Sequence, residues 1–419
     1  MRALVVVAAV LATLPATAGE RAIQLSGSLG MYDPATIPVW PERLQLVTGG
    51  ADKEGALLPE ARRRASAAGN PARFLFYMSL AALDGGCDCN EQYLLERLRR
   101  EHPEVVLRDE RGEPVSIFLD RLKRGRMLVL DLGSPTYVDA WADRALAEVA
   151  KHGWDGVWVD NVFRGRFPDE NWSAVPVNPR TRKPYTVAEY RRDTLAALER
   201  LRRRFDARHA LFVGNHASAW RSFDEDPLIG RQVLAMHGVQ VEDFAFTLGG
   251  RPHPEADWLR QLAYLDFANR HGVFTWATGG GGALMEPPKR EYVLASYLLT
   301  RRGRSVVGDL NALKTWWPAL ATDLGDATGD FACLDPAADY RPTDRCPAPG
   351  RVFVREFAKA RVVVNPGDVP RRVPLGGAFR TLDGAPADDP LPLGPHAGRV
   401  LLRERDHTAS RTSSGRAGR

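Results

Sequence analysis

Two carboxylates, Asp160 and Glu242, carry the clearest chemical signal in this sequence. Asp160 directly follows the apolar run Val157–Val159, so a packed strand would hold its backbone rigidly, as a nucleophile requires. Glu242 has Val241 and Phe244 close by, and partial desolvation there would favour its protonated form, as an acid requires. A group that protonates a leaving oxygen and a second that attacks or stabilises an oxocarbenium carbon together break a glycosidic bond. The residues therefore predict Asp160 and Glu242 as a catalytic pair for such a bond.

Both carboxylates also have structural interpretations. Asp160 is followed by Asn161, and a strand-end Asp of this kind can cap the next loop or helix. Asp243 could be the reacting group, with its neighbour Glu242 as a structural ion-pair partner. Asp155 precedes the same apolar run as Asp160 and is expected to shape a turn.

Other polar and aromatic side chains occur on or at the ends of predicted strands and could bind sugar. Pyranose rings pack their C–H faces on indole and phenol rings, and amide or imidazole groups hydrogen-bond to hydroxyls. His216 could equally be a buried histidine that supports its neighbours, and Asp131 could anchor a loop. We expect Trp158 to pack between the sheet and the surrounding helices. The predicted substrate-binding residues are Tyr77, Asp131, Asn161, Asn215, His216, Asp243 and Trp276.

Short apolar, β-branched runs alternate with amphipathic helical stretches along most of the chain. Such alternation implies right-handed crossovers and a parallel sheet. Eight strands over roughly 280 residues fit a closed (β/α)8 TIM barrel of the α/β class, which carries its reactive groups at the C-terminal ends of the strands. The predicted strands are Arg43–Thr48, Arg73–Ser79, Met127–Leu132, Gly156–Val162, Ala210–Gly214, Gln240–Phe246, Val273–Thr278 and Ser305–Asp309.

The pattern of apolar residues changes after Thr322, where helical periodicity ends. Short strands separated by Gly, Pro and Asp follow, which is typical of a small antiparallel β-sandwich. The final stretch is rich in Ser, Thr, Gly and Arg and has almost nothing to bury, so it is predicted to be disordered. The predicted organisation is a signal peptide over residues 1–18, a barrel over 19–322, a β-sandwich over 323–404 and a tail over 405–419.

One motif, Gly153–Val162, resembles a known family. It is similar to the fourth barrel strand of the hypothetical glycoside hydrolase group and of the related polygalactosaminidase-type and α-galactosidase-like enzymes. The resemblance implies a barrel glycosidase in which Asp160 is a catalytic carboxylate and the partner acid lies on the sixth strand, here at Val241–Asp243. The segments Val362–Pro366 and Gly398–Leu402 resemble the terminal sandwich common in glycosidases.

The N-terminal residues indicate export. Arg2 gives a positive start, Leu4–Leu14 is apolar, and Ala16–Ala18 has the form of an A-x-A cleavage site. The apolar run is too short to span a bilayer comfortably, so we expect a cleaved secretory signal, and no later segment is apolar enough to span. The sequence therefore predicts a secreted or periplasmic protein without an integral membrane segment.

The four cysteines can pair in such a compartment. Cys333 and Cys346 bracket a loop rich in Pro and Asp, and a disulfide between them is expected. Cys87 and Cys89 could bridge each other or stay as thiols, and no second ligand pair with metal-site spacing accompanies them.

Composition and motifs argue against several other functions. The formal net charge of +5 is modest for 419 residues, and Arg62–Arg64 and Arg202–Arg204 have the pattern of solvated helix faces, so nucleic-acid binding is not expected. The sequence has no G-x-S-x-G, H-E-x-x-H or G-x-x-x-x-G-K-[ST] motif, and no cofactor or metal is predicted. The glycine run Gly279–Gly282 is expected to form a flexible loop at the barrel mouth.

Three functions fit these features. The first is a hydrolase of a polysaccharide or glycan, the second is a barrel that binds carbohydrate without cleaving it, and the third is a different hydrolase or a transglycosylase. The first and third require the two carboxyl groups to face each other across a cleft. A separation of about 5 Å would imply retention of anomeric configuration, and about 6.5–9.5 Å inversion. The sugar, the linkage and the oligomeric state are left open by the sequence.

Overall fold

A computed structural model describes most of the chain. The described residues are 25–28, 43–50, 52–86, 89–117, 127–162, 172–216, 219–281, 286–303, 305–309, 317–343 and 350–404. The predicted signal peptide and the predicted C-terminal tail lie outside these ranges. In chain order the strands are β1 (Ser26–Ser28), β2 (Leu46–Gly49), β3 (Arg73–Ser79), β4 (Ala82–Asp84), β5 (Ser116–Ile117), β6 (Met127–Val129), β7 (Gly156–Asp160), β8 (Leu211–Asn215), β9 (Gly238–Phe244), β10 (Phe274–Gly279), β11 (Val306–Asp309), β12 (Ala332–Asp335), β13 (Arg341–Thr343), β14 (Val352–Glu356), β15 (Ala360–Asn365), β16 (Arg371–Val373), β17 (Phe379–Arg380), β18 (Leu391–Leu393) and β19 (Ala397–Arg403).

The helices lie mostly between the strands of the first three-quarters of the chain. The long ones begin with sequence-encoded caps: Thr186 and Glu189 form a reciprocal capping box before one, and another ends at Gly153, whose left-handed conformation closes the last turn. The helices are α1 (Asp52–Gly55), α2 (Leu58–Ala67), α3 (Asn90–Glu101), α4 (Pro135–His152), α5 (Val187–Asp206), α6 (Pro227–Leu234), α7 (Glu255–Arg270) and α8 (Pro287–Thr300). No helix among the described residues has the length and apolar character needed to cross a membrane.

The main sheet is a parallel barrel. Its eight strands follow the order β1-β2-β3-β7-β8-β9-β10-β11, and each neighbouring pair is parallel. A parallel bridge between Leu25 and Val307 joins the first strand to the last and closes the ring. The predicted (β/α)8 barrel is therefore confirmed.

Two strands differ from the sequence prediction. The predicted third barrel strand, Met127–Leu132, instead contributes β6 to a small antiparallel sheet with β4 and β5. Met127 and Val129 are nevertheless buried. The hydrophobic pattern therefore predicted their burial correctly but assigned them to the wrong sheet. The barrel's first strand, Ser26–Ser28, consists of Ser-Gly-Ser and has no apolar pattern from which it could be predicted.

The C-terminal strands form the predicted antiparallel sandwich. A six-stranded sheet of order β13-β12-β14-β15-β19-β17 packs beside the two-stranded sheet β16-β18. Successive residues point to opposite faces: Val362 and Val364 join the main core, whereas Val363 between them joins the small core shared with β16 and β18. The large sheet is thus buried on both faces.

The sandwich is tied to the barrel through α7 and α8. The Arg355 guanidinium donates to the carbonyls of Leu298 (3.0 Å), Leu299 (3.0 Å) and Arg301 (2.7 Å), which the end of α8 leaves without helical partners. The Glu255 carboxylate, in the first turn of α7, accepts from the Gly350 amide at 2.8 Å.

The cysteine pairing is described in part. Cys89 and Cys333 are both disulfide-bonded. Cys87 and Cys346 lie outside the described residues, so the predicted bond between Cys333 and Cys346 stays a prediction.

Strand β19 approaches α8 so closely that Gly398 leaves no room for a side chain. A Cβ atom on Gly398 would lie 2.7 Å from the Ala295 Cβ and 3.2 Å from the Tyr292 Cα. We expect Gly398→Ala to lower the free energy of unfolding by about 1–3 kcal/mol, because it overpacks this contact. Gly394→Ala is the matched control, since a Cβ there meets nothing within 4 Å. Equal unfolding free energies for the two variants in urea titrations would contradict this packing.

Candidate active site

The last residue of β7, Asp160, has its backbone fixed against β3. The Asp160 carbonyl accepts from the Leu80 amide at 2.9 Å, which extends the β3–β7 ladder past Ser79. Asn161 then turns the chain with a φ of 53°, in the left-handed region that Asn tolerates better than most residues. The Asn161 side-chain amide donates to Ser79 Oγ at 2.9 Å and holds this turn against β3.

The Asp160 carboxylate accepts hydrogen bonds from three directions. The Tyr77 hydroxyl donates to Oδ2 at 3.0 Å, the Asn161 amide N–H donates to Oδ1 at 2.7 Å, and Asn215 Nδ2 donates to Oδ1 at 3.0 Å. These donors come from three neighbouring strand ends, β3, β7 and β8. The carboxylate therefore has one defined orientation.

The same Asn215 amide links the two predicted catalytic residues. Asn215 Nδ2 also donates to Glu242 Oε2, at 2.9 Å. Because one nitrogen lies 3.0 Å from Asp160 Oδ1 and 2.9 Å from Glu242 Oε2, these oxygens are no farther apart than the sum, about 5.9 Å. Asp160 and Glu242 are both partly exposed, so solvent reaches the pair. The structure thus brings together residues from the fourth, fifth and sixth barrel strands.

Aromatic side chains support this carboxylate cluster inside the barrel. The Trp158 ring lies 5.1 Å from the ring of Tyr77 and 5.1 Å from that of Trp276, centroid to centroid. Trp158 Nε1 donates to Gln240 Oε1 at 2.7 Å. The expectation that Trp158 packs against the helices is wrong: it lies two residues before Asp160, so the period of a strand puts both on the inner face.

Two residues in or next to this aromatic cluster, Trp276 and Gln240, have positions that differ from what the sequence suggested. Trp276 is 4% exposed, and its ring is enclosed within the barrel, so it supports the cluster from below and presents no open face to a sugar. Gln240 was not predicted, although a polar residue two positions before Glu242 in an apolar strand was a usable signal. Its amide also donates to Thr278 Oγ1 at 2.8 Å and so connects β7, β9 and β10.

His216 is buried behind the cluster. Its Nδ1 lies 2.7 Å from the Tyr264 hydroxyl and its Nε2 lies 3.0 Å from Gln232 Oε1, so both ring nitrogens are occupied. Burial lowers the pKa of His216 to about 4, although the bond to Gln232 opposes this shift. The structure therefore assigns His216 the supporting position that was the alternative to sugar binding.

Asp131 lies in a separate polar cluster. Its carboxylate accepts from Arg180 Nη1 at 2.9 Å and from the Tyr185 hydroxyl at 3.0 Å, and both donors also bond to Asp193. Burial raises the pKa of Tyr185, and the charges of Asp131 and Asp193 raise it further, so Tyr185 remains a donor. Asp131 follows β6 outside the barrel, and through Arg180 and Tyr185 it anchors the residues just before α5.

Asp243 points away from Glu242, as neighbouring residues on a strand do. Its carboxylate accepts from Trp220 Nε1 at 3.3 Å and lies 3.3 Å from His253 Nε2 and 3.8 Å from Arg221 Nη2. The ion-pairing position that was considered for Glu242 therefore belongs to Asp243.

Gly280 and Gly281, which directly follow β10, are packed against the preceding loop. A Cβ on Gly280 would lie 1.9 Å from the Phe246 carbonyl oxygen, and one on Gly281 would lie 2.5 Å from the Gly250 Cα. These glycines are needed because two loop backbones meet, a reason different from the predicted flexibility.

Among the residues that the structure describes, no group of three or more His, Cys, Asp or Glu is arranged to hold a metal ion.

A barrel with an Asp and a Glu held together at its C-terminal mouth has the architecture of a glycoside hydrolase. The chain belongs to hypothetical glycosyl hydrolase family 15, which it matches over residues 72–361, more than half of its length. This match confirms the resemblance drawn from the Gly153–Val162 motif, and the chain is thereby a glycoside hydrolase. A comparison with curated proteins finds no match.

Several solved structures resemble this chain at low sequence identity. A noncanonic maltogenic alpha-amylase from Thermotoga neapolitana has a TM-score of 0.50 and 12% identity, over 91% of this chain and 98% of that chain. A GH31 dextranase from Flavobacterium johnsoniae has a TM-score of 0.49 and 9% identity, over 91% of this chain and 52% of that one. A GH31 alpha-xylosidase from a soil metagenome has a TM-score of 0.48 and 13% identity, over 92% and 63%. The similarity to the amylase shows that the two proteins share a fold. This chain spans less than two thirds of the length of the dextranase and of the xylosidase.

The buried state of His216 generates a test of stability against pH. Its pKa is about 4 when folded and near 6.5 in the unfolded chain, so its stabilising contribution is lost as the pH falls from about 6.5 to about 4. We expect the wild type to exceed His216→Gln in unfolding free energy at pH 7, and this difference to shrink by about 2–3 kcal/mol at pH 4. Urea titrations at both pH values measure it. A difference that is constant with pH would contradict a neutral, buried His216.

Proposed function

We propose that this glycoside hydrolase cleaves glycosidic bonds of a polysaccharide or glycan with retention of anomeric configuration, using Asp160 as nucleophile and Glu242 as acid and base. The observation that carries the proposal is the Asn215 amide shared by the two carboxylates, with its limit of about 5.9 Å on their oxygen separation. Retaining enzymes hold their carboxyl groups about 5–5.5 Å apart, whereas inverting enzymes need about 6.5–9.5 Å to admit a water.

The first chemical step forms a glycosyl–enzyme ester. One Asp160 carboxylate oxygen attacks the anomeric carbon while the bond to the leaving oxygen breaks, and Glu242 gives its proton to that oxygen. The carboxylate is held for this attack by Tyr77 and Asn215. In the second step the Glu242 carboxylate takes a proton from water, and the resulting hydroxide attacks the anomeric carbon and releases Asp160.

The Asn215 amide has a specific part in both steps. It donates to Asp160 and to Glu242 without carrying a charge, so it can fix both groups whichever of them is ionised. This matters because the negative charge leaves Asp160 and develops on Glu242 during the first step. A Lys or Arg at this position would favour ionisation of both carboxyl groups and would deplete the acid.

We also propose that the enzyme is exported, as a secreted or periplasmic protein. The charged start at Arg2, the apolar run Leu4–Leu14 and the A-x-A site at Ala16–Ala18 support this proposal. The disulfide-bonded state of Cys89 and Cys333 is consistent with an oxidising compartment. We further propose that the boundary between the catalytic barrel and the sandwich lies near Thr322.

Substitution of each carboxylate tests the assignment against binding without cleavage. We expect Asp160→Asn and Glu242→Gln to lower kcat/KM by about 10³-fold or more on any glycan that the wild type hydrolyses, because each removes a reacting group. A polysaccharide panel identifies that substrate. Asp155→Asn is the matched control, since Asp155 lies at the opposite end of β7 and contacts Arg62 at 3.0 Å.

The outcomes separate the candidate functions. Full activity in Asp160→Asn or Glu242→Gln would refute that residue's assignment. Glycan binding with no turnover by the wild type would favour the non-catalytic barrel. We expect the Asp155→Asn variant to keep its turnover and to lose stability, because it leaves Arg62 and the Phe74 amide with a weaker partner.

A further inference from the structure

A third carboxylate, Glu91, is buried beside the catalytic cluster and has no part in the steps above. It lies in the first turn of α3 and is 5% exposed. Its Oε1 accepts from the Ser79 amide at 2.7 Å, and its Oε2 accepts from the Asp84 amide at 3.3 Å. Glu91 therefore joins α3 to both ends of the segment Ser79–Asp84, which runs from the end of β3 through β4.

The Ser79 amide needs this partner because of the barrel's geometry. Strand β2 ends at Gly49, opposite Phe76, so β3 extends three residues beyond its neighbour on that side. Amides of a strand point alternately to its two sides, and the Leu80 amide is used by the Asp160 carbonyl on the β7 side. The Ser79 amide thus faces the side without a strand, where Glu91 takes the place of a strand carbonyl.

The segment that Glu91 holds is also the one that fixes the nucleophile's backbone. Leu80 donates to the Asp160 carbonyl at 2.9 Å, and Ala81 donates to the Asn161 carbonyl at 3.3 Å. Ser79 Oγ accepts from the Asn161 side chain at 2.9 Å. Displacement of this segment would therefore move Asp160.

Glu91 is coupled to the nucleophile by charge as well. The groups that face it are Asp160 from β7, Asp84 from β4 and Tyr137 from α4. Burial raises the pKa of Glu91 to about 7, the Ser79 and Asp84 amides oppose this shift, and the charges of Asp160 and Asp84 add to it. Glu91 is thus protonated at acid pH and becomes charged near neutrality.

We propose that Glu91 is a positioning residue for Asp160, which holds the β3–β4 segment and, through its charge, sets the alkaline limit of the enzyme's activity. This inference rests on the proposed retaining mechanism. A charged Glu91 beside Asp160 opposes the loss of a further proton from the carboxylate cluster, and this repulsion extends activity to higher pH.

The pH profile of Glu91→Gln tests this role. We expect the alkaline limb of kcat/KM to move to lower pH by about 0.5 unit or more, because the negative charge is gone. The acid limb should stay in place, since Glu91 is already protonated there in the wild type. Glu255→Gln is the matched control, because Glu255 also lies in the first turn of a helix and accepts a distant backbone amide, from Gly350. We expect no shift of either limb in that control.

Thermal unfolding gives a readout that does not depend on activity. Glu91 has a higher pKa in the folded protein than in the unfolded chain, so its stabilising contribution falls as the pH rises from about 4.5 to about 7. We expect the Tm difference between wild type and Glu91→Gln to be larger at pH 5 than at pH 8. A difference that does not change with pH would contradict the raised pKa of Glu91, on which its effect near neutral pH depends.

Two further variants separate the possible failures. Glu91→Asp keeps the charge on a shorter side chain, so we expect a lower kcat with the alkaline limb near its wild-type position, and this variant replaces Glu91→Gln if the latter does not fold. An unmoved alkaline limb in Glu91→Gln, with Asp160→Asn inactive, overturns the role of Glu91 and leaves the proposed function standing. An Asp160→Asn variant as active as wild type overturns the proposed function, and the role of Glu91 with it.

Discussion

The candidate active site depends on one shared hydrogen-bond donor, the side-chain amide of Asn215. Neighbouring strands in a sheet lie about 4.8 Å apart, so the backbones of the fourth and sixth strands are separated by roughly 10 Å. Side chains that reach inward shorten this gap, and the amide on the fifth strand occupies its middle at 3.0 Å from Asp160 and 2.9 Å from Glu242. The spacing of strands and the lengths of three side chains thus set the distance between the two carboxylates.

The rest of the barrel keeps these side chains in place. Tyr77, Trp158 and Trp276 fill the interior beneath the carboxylates, and the Trp158 indole is satisfied by Gln240. Polar side chains outside the barrel hold neighbouring loops in place, as Asp131 does by accepting a hydrogen bond from Arg180, or form ion pairs with one another. Backbone amides that the uneven strand ends leave without partners are taken up by side chains, which is why a charged residue such as Glu91 can be retained in the interior.

The sequence was sufficient for the features that have a strong local pattern. The strand that ends at Asp160 and the strand that carries Glu242 were predicted because their apolar runs are distinctive. Their ordinal positions in the barrel came out correct because the missed strand Ser26–Ser28 offsets the wrongly included Met127–Leu132. Ser26–Ser28 could not be predicted, since its membership comes from pairing with β2 and closure against β11. The burial of His216 and the inward face of Glu91 depend on partners distant in sequence, so residue type alone could not separate supporting positions from reacting ones.

The stereochemical course of hydrolysis is the sharpest test of how Asp160 and Glu242 are arranged. Proton NMR can follow the anomeric signal of the first product released from an activated glycoside, before mutarotation equilibrates the two anomers. We expect this product to have the configuration of the substrate, because the carboxylates are too close to admit a water opposite the leaving group. A first product of inverted configuration would contradict the shared amide and the separation that follows from it.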